Sequence, residues 1–442
     1  MPHVDARALP LAASAPAALP AFEAALARVV AGERDALAPL DDAFAHAPSF
    51  AMGHALRAAA LVLSDDPAQR PALAHAIAAI EQGSDGDARA RRHAAAARAW
   101  LDGDAAAAGS LYGAIADEHP LDILALRVAH ALDFRSGARA MLRDRVARAL
   151  PHWDPAMPHY GHVVAMHAFC LEENGDYDAA EAAARHALDH APRAASAIHV
   201  LAHVCEMRGR AADGIALLER TRAVWSANAA FARHLEWHLA VFHLDQCDTK
   251  RAQSIYDEAL APHDGDGAGA LVDASALLWR LELRGVAAPG RWRALARAWA
   301  RQRLSGARAF NIVHAVAAQA GARQLLRARR TAALLDDDAA TRRANDSVDV
   351  ELARAFCAAL IAFARGRYGE AVDLIGVVRA RADECGGSVA QCDLIHLTLI
   401  EAALRGARDR LARALVAERA LRRPASRLSL WLSARLTAHA AA

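Results

Sequence analysis

Histidine offers the clearest chemistry in this chain, which holds 22 of them. His199 and His203 stand four apart, as do His234 and His238. On an α-helix that spacing places two side chains one turn apart on one face. Two imidazoles so placed can chelate one divalent ion. Two such helices side by side would offer three or four nitrogens, with Glu206 or Glu236 as carboxylate ligand or general base. Neither pair has Glu directly after its first His, so the HExxH motif is absent. His199, His203, Glu206, His234 and His238 are therefore the catalytic candidates, and the four histidines are the candidate metal ligands. No motif demands a cofactor; zinc or iron is the ion such a set would suit.

Those side chains need helices to carry them, and the composition supplies helices. Hydrophobic residues make up 55% of the chain and aromatics only 5%, so alanine and leucine carry the apolar fraction. Alanine is the strongest helix former because it has no rotamers to fix. Alternating β-branched runs are almost absent, so an all-α chain without a sheet is expected. The punctuation also repeats. In Gly175-Asp176-Tyr177-Asp178-Ala179-Ala180, followed by Ala184, Ala187 and Pro192, Gly closes a helix, an acid caps the next and Pro ends the unit. Thirty-four residues after Gly175 stand Gly209-Arg210, then Gly214 and Leu218, and 34 is the tetratricopeptide period. Similar spelling occurs at Gly103-Asp104, at Gly366-Arg367-Tyr368 and at Gly406 with Asp409. A looser unit has Cys247-Asp248 in the Gly-Asp place, after a first helix about one turn longer.

Segments 19–83, 121–149 and 268–336 read as helical hairpins without the repeat spelling, and Pro262–Gly267 and Asp336–Asp346 as breaks between hairpins. The expected architecture is a tetratricopeptide-like α-solenoid, a superhelix of antiparallel helix hairpins, with two abutting bundles as the alternative. Residues 1–18 read as a flexible tail and 19–442 as a single repeat domain, with its clearest repeats at 89–122, 161–260 and 352–424.

In such a unit the first helix lines the concave side, and positions 2, 5, 9, 12 and 13 share its inward stripe. Gly175, Gly209, Cys247 and Gly406 are each taken as position 15. His162, His234 and Asp393 then fall at 2, His199, Trp237 and His396 at 5, Phe169 and His203 at 9, Glu172 and Glu206 at 12, and Glu173 at 13. His238 sits beside the stripe. The expected groove residues are His162, Phe169, Glu173, His199, His203, Glu206, His234, Trp237, His238, Asp393 and His396. Such a groove suits a peptide, a partner protein or a small polar ligand, and often takes the chain's own C-terminal segment. Trp153, Trp225 and Trp279 read as hairpin packing and Trp237 as groove-facing. Ser388, after Gly386-Gly387, reads as a helix N-cap before it reads as part of an anion site.

Several segments carry more than repeat punctuation. The run from His199-Val200-Leu201-Ala202-His203 to Gly209-Arg210 resembles the signature of the tetratricopeptide repeat protein 38 family. So does His234-Leu235-Glu236-Trp237-His238 through Leu244, with Tyr256-Asp257 following. Leu278-Trp279-Arg280-Leu281 and Phe310-Asn311-Ile312-Val313-His314 are similar to later family segments. The run from Gly386 to Asp393 resembles another, departing at Cys392, where the family usually carries Arg. The resemblance spans roughly 150–420. It implies an all-helical repeat fold in a soluble intracellular protein, and it implies no established activity.

Charge narrows the partners. The net charge of +1, from 52 basic and 51 acidic residues, leaves no basic excess for nucleic acid. Arg419, Arg422, Arg423 and Arg427 read as a weak, solvated basic cluster. The six cysteines form no CxxC, and all but Cys385 lie in apolar helical pattern and read as buried thiols. No stretch nears the roughly 20 uninterrupted apolar residues of a membrane span, and the Ala/Pro-rich start lacks a signal-peptide layout. A cytoplasmic protein without nucleic-acid or membrane partners is expected.

Two functions follow as expectations. One is a tetratricopeptide-repeat binding protein with a His/Glu/Trp-lined concave groove. The alternative is an enzyme of unestablished class, with a metal as one option, using the groove histidines. Convergence separates them. Catalysis needs at least three of these groups within reach in a closed pocket, whereas a binding groove strings them along an open surface. A purely structural role would bury them against backbone or Ser/Thr partners.

Overall fold

The computed structural model describes residues 3–11, 16–83, 87–337 and 350–441, so the expected break Asp336–Asp346 lies mostly outside the described residues. The chain is all-α apart from one short hairpin, and its helices pair in sequence. Ala88–Leu101 packs on Ala105–Glu118, Tyr160–Glu173 on Tyr177–His190, and Val350–Ala364 on Tyr368–Val378. The turns show why. Gly103, Gly175, Gly209 and Gly366 all take positive φ, the left-handed conformation that ends a helix. The residue after two of them caps the next helix: Asp104 accepts from the Ala107 amide at 2.7 Å and Asp176 from that of Ala179 at 3.4 Å. Each such cap contributes about 1 kcal/mol.

Cys247 holds the same left-handed position, at φ 64°, and Asp248 caps onto the Arg251 amide at 2.9 Å. Cys247 is therefore exposed, while Cys170, Cys205, Cys357 and Cys392 are buried as expected. In the 406 unit the left-handed residue is Ala407, one later than the glycine suggests. The first helix before Cys247 is not longer either. Ala232–Asp245 has 14 residues, like Tyr160–Glu173 and Ala195–Arg208. The extra residues form the short helix Arg222–Trp225 and the loop after it.

The start of the chain also departs from expectation. His3–Val4 and Pro10–Leu11 pair antiparallel, His3 opposite Leu11 and Val4 opposite Pro10. The Asp5 carboxylate holds the turn by accepting from the amides of Arg7 and Leu9 at 2.8 and 3.0 Å. Buried Arg7 then bridges Asp5 at 2.7 Å and Glu23 at 2.9 Å. Local polar bonding thus builds a two-stranded hairpin, with Val4 its one β-branched residue, where a tail and no sheet were expected.

The chain divides into two compact units: Met1–Leu201 with Arg222–Ala232, and Ala202–Thr221 with Arg233–Ala442. The excursion 222–232 belongs to the first unit through its hydrogen bonds. The Asn228 side chain donates to the Ala31 carbonyl at 2.6 Å, and the Ala229 amide to that of Gly32 at 2.9 Å. The first unit packs around Phe22, Phe50, Leu56, Ile77, Tyr112 and Leu126. The second packs around Trp237, Trp279, Trp292, Trp299, Phe242 and Phe356. Buried indoles need acceptors, and the Trp279 and Trp299 N–H groups donate to Thr398 and Ser275 hydroxyls at 3.0 and 2.9 Å. Among the described residues no helix is long and apolar enough to cross a membrane.

Candidate metal centre

Three helices bring the histidines of the second unit together: the end of Ala195–Arg208, then Ala232–Asp245 and Ala268–Leu283. A small residue permits the approach from Ala211–Arg220. At Gly214 a Cβ would stand 2.4 Å from the Phe242 ring, so only glycine lets that helix pack down on Ala232–Asp245. Phe242 is in turn one helical turn from His238.

His238 is fully buried, with Nδ1 3.0 Å from Glu206 Oε2. His234, one turn earlier, has Nδ1 3.0 Å from Asp273 Oδ2. The fully buried His203 ring lies 4.8 Å from that of His238, which lies 4.7 Å from that of His234. One nitrogen from each of His203, His234 and His238 falls within 4.8 Å of the others. Tetrahedral zinc places its nitrogen ligands about 3.4 Å apart, which lies within that bound. Carboxylates on Nδ1 orient the rings of His234 and His238, as outer partners usually orient histidine ligands. Trp237 stacks on His234, 5.4 Å between centroids at 9°, and the Arg280 guanidinium lies 5.1 Å from the Trp237 ring centre.

The charges here are strongly perturbed. Burial pushes the Glu206 carboxyl up, although Arg423, Arg280 and His203 pull it down. For His234 burial acts downward, but the charge and hydrogen bond of Asp273, with Glu206, hold its pKa above the ordinary value. Glu206 Oε1 and Trp237 Nε1 are buried and have no hydrogen-bond partner among the described residues.

Glu206 also lines a narrow cleft of about 40 Å³. At its floor Asp393 accepts from Arg419 at 2.6 Å and Arg423 at 3.1 Å. Burial opposes ionisation there, yet Arg419, Arg423 and Arg280 hold the Asp393 carboxyl well below the usual carboxylate range. Arg419 and Arg423 are thus buried ion-pair partners and not the solvated cluster read from the sequence; Arg422 and Arg427 are exposed. The walls are apolar. Leu397 and Ile400 face Leu428, Trp431 and Leu432 of the C-terminal helix Arg427–Ala441, so the chain's own end lines the cleft.

Of the residues expected in a groove, His203, Glu206, His234, Trp237 and His238 come together, as a closed cluster and not an open stripe. Trp237 is fully buried and does not face a groove. Asp393 joins through its arginines, and His396, three residues on, is partly buried, which lowers its pKa. The other candidates belong to the first unit. His162 lies beside His159, at 6.4 Å, and burial, then His159 and Arg127, push it down to about 4. Phe169 packs edge-on against His130 and Phe134. Glu173 is buried 3.6 Å from Arg139. His199 packs on Phe169 and Phe231, at 6.0 and 5.0 Å.

Sequence reasoning missed Asp273 and the role of Arg280. A signal existed: they stand seven apart, on one face of a largely apolar helix, where burial of charge has to be compensated. Ser388 is the N-cap it was read to be, in a capping box with Gln391 at 3.2 and 3.1 Å. No protein-family model matches this chain.

Proposed function

We propose that the second unit holds the transition-metal centre of an enzyme, with His203, His234 and His238 as ligands to zinc or iron. The observation that carries this is the convergence of three imidazoles, two of them oriented through Nδ1 by Asp273 and Glu206. A purely structural role called for backbone or Ser/Thr partners, and the partners of His234 and His238 are carboxylates. The metal would polarise a bound oxygen or lower the pKa of bound water. Glu206 stands between the imidazoles and the cleft, and burial raises its pKa toward the range of a useful proton carrier. It would take a proton from, or return one to, a molecule held in the cleft. Arg280, through its bonds to the Ala276 and Ala390 carbonyls at 3.2 Å, would hold the floor in place.

A second reading is partner capture. Leu428, Trp431, Leu432 and Arg435 occupy i, i+3, i+4 and i+7 of the C-terminal helix, the anchor pattern of a helix in a groove. Arg435 pairs with Glu401 at 2.8 Å. A partner helix or peptide of that pattern would compete for the seat. On either reading the repeat spelling and the histidine-bearing segments suggest the tetratricopeptide repeat protein 38 family, and the balanced charge suits a cytoplasmic protein without nucleic-acid or membrane partners.

The test is elemental mass spectrometry of untagged protein beside a His203→Ala/His238→Ala variant. Near-stoichiometric zinc or iron, lost in a variant whose circular dichroism is unchanged, is the expected result. Metal-free wild type that also fails to take up added zinc would sink the metal reading and leave partner capture.

A further inference from the structure

In the first unit another pair of histidines stands four apart, near the end of helix Tyr177–His190. His186 and His190 are both exposed, and their ring centres lie 4.7 Å apart with the planes at 78°. Two imidazoles that bind one ion through nitrogens at about 2.0–2.1 Å have ring centres about 4.5–5.2 Å apart, so the pair holds the spacing of a chelate. Tyr160, on the helix packed alongside, restricts both rings. It meets His190 edge-on at 4.9 Å and His186 at 6.0 Å, and its hydroxyl lies 3.3 Å from His186 Nε2. A bare histidine pair on a helix surface has to give up side-chain freedom to chelate; here one aromatic wall has already removed part of it. His190 closes its helix and His186 stands one turn before it, where the helix dipole favours a cation. The neighbouring Arg185 pairs with Glu181 at 2.5 Å.

We infer that His186 and His190 form a surface metal site, in which one nitrogen of each imidazole chelates a divalent transition ion, Cu(II) more tightly than Zn(II). Imidazole nitrogen suits copper, nickel and zinc, and such a set follows the general order of affinity, with Cu(II) above Ni(II) and Zn(II). Calcium and magnesium take oxygen ligands and are not bound. An i, i+4 pair supplies two adjacent positions, so water completes the coordination of the ion and the site stays open to solvent. Tyr160 is a positioning residue, acting through the two rings.

The test compares the full chain with His186→Ala, His190→Ala and the double variant, and with His263→Ala, an exposed histidine of the second unit, as control. Each is stripped with a chelator and titrated with Cu(II), followed by calorimetry and electron paramagnetic resonance. The readout is a difference between the wild type and a variant that keeps His203, His234 and His238, so it does not depend on the metal centre of the second unit. The wild type binds one Cu(II) more than the double variant, and Zn(II) competes for that site more weakly. Each single variant weakens the site at least about tenfold, while His263→Ala leaves it unchanged. Alanine favours a helix, so the variants at 186 and 190 keep the wild-type circular dichroism. Equal Cu(II) stoichiometry in the wild type and the double variant would overturn the inference. So would wild-type affinity in either single variant, which would mean binding by one histidine and no chelate.

Discussion

Each unit buries a cluster of His, Arg and acid, and the two clusters are built differently. In the first unit Asp122 sits at the centre: Oδ2 accepts from Arg89 at 2.9 Å and lies 3.0 Å from His93 Nε2, while Oδ1 caps the Ala125 amide at 3.0 Å. Against burial, His93, Arg89 and that amide hold its carboxyl well below the usual carboxylate range. One acid is surrounded by donors, which is a stable way to bury charge. In the second unit the imidazoles are central and the acids stand outside, at Asp273 and Glu206. Three imidazoles in contact gain little for folding, since any two that carry protons repel each other. The same residue types thus surround an acid in one unit and face one another in the other.

The sharpest way to break this comparison is metal affinity. His203→Ala/His238→Ala is expected to lower zinc affinity more than about 1,000-fold, or about 4 kcal/mol, by competition with a fluorescent chelator. His93→Ala is expected to leave zinc affinity unchanged. If His93→Ala matters as much, the clusters are not distinct. Stability gives the converse. Asp122→Asn removes the acid that Arg89 and His93 share, leaving Arg89 with Asp5 at 3.9 Å, and is expected to destabilise by about 3–5 kcal/mol in urea unfolding. A loss under about 1 kcal/mol would mean the first cluster is not structural.

Asp273→Asn is a smaller effect in the second unit. It keeps the shape but weakens the orientation of His234, so zinc affinity should fall about 10–100-fold with little change in the unfolding midpoint. Smallest is the pH response of metal-free protein. His159 and His162 are each pushed to about 4, by burial first and then by Arg7 and His159 respectively. Their pKa values lie below that of an unfolded histidine, about 6.5, so the unfolded chain binds protons first and stability falls as pH drops from there toward 4. His234 has the opposite sign: its contribution is complete below the unfolded value and is lost as pH rises through its raised pKa. Histidine NMR titrations should show His234 titrating last as pH rises; titration of all three near 6.5 would refute both environments.

Much of this was legible in the residues. The helix hairpins followed from alanine content and from Gly-Asp punctuation, because a left-handed glycine and an acidic cap act within a few residues of chain. The i, i+4 histidine pairs were legible for the same reason. Their burial was not. A stripe position says which way a side chain points and says nothing of what closes over it, and the C-terminal helix lines the cleft beside Glu206. Asp273 and Arg280 escaped because their partners lie far along the chain: Asp273 meets His234 across 39 residues, and Arg280 meets the Ala390 carbonyl across 110. The N-terminal hairpin escaped because its strands are two residues long and are held by one ion-paired turn.

The sequence alone determined the helices, their turns and which histidines share a face, since those depend on backbone preference and on a 3.6-residue period. Only the tertiary structure decided that His203, His234 and His238 converge, that Trp237 is core, and that Arg419 and Arg423 are buried on Asp393. Those outcomes rest on desolvation and pairing between residues distant in the chain, and the local pattern carries no record of either.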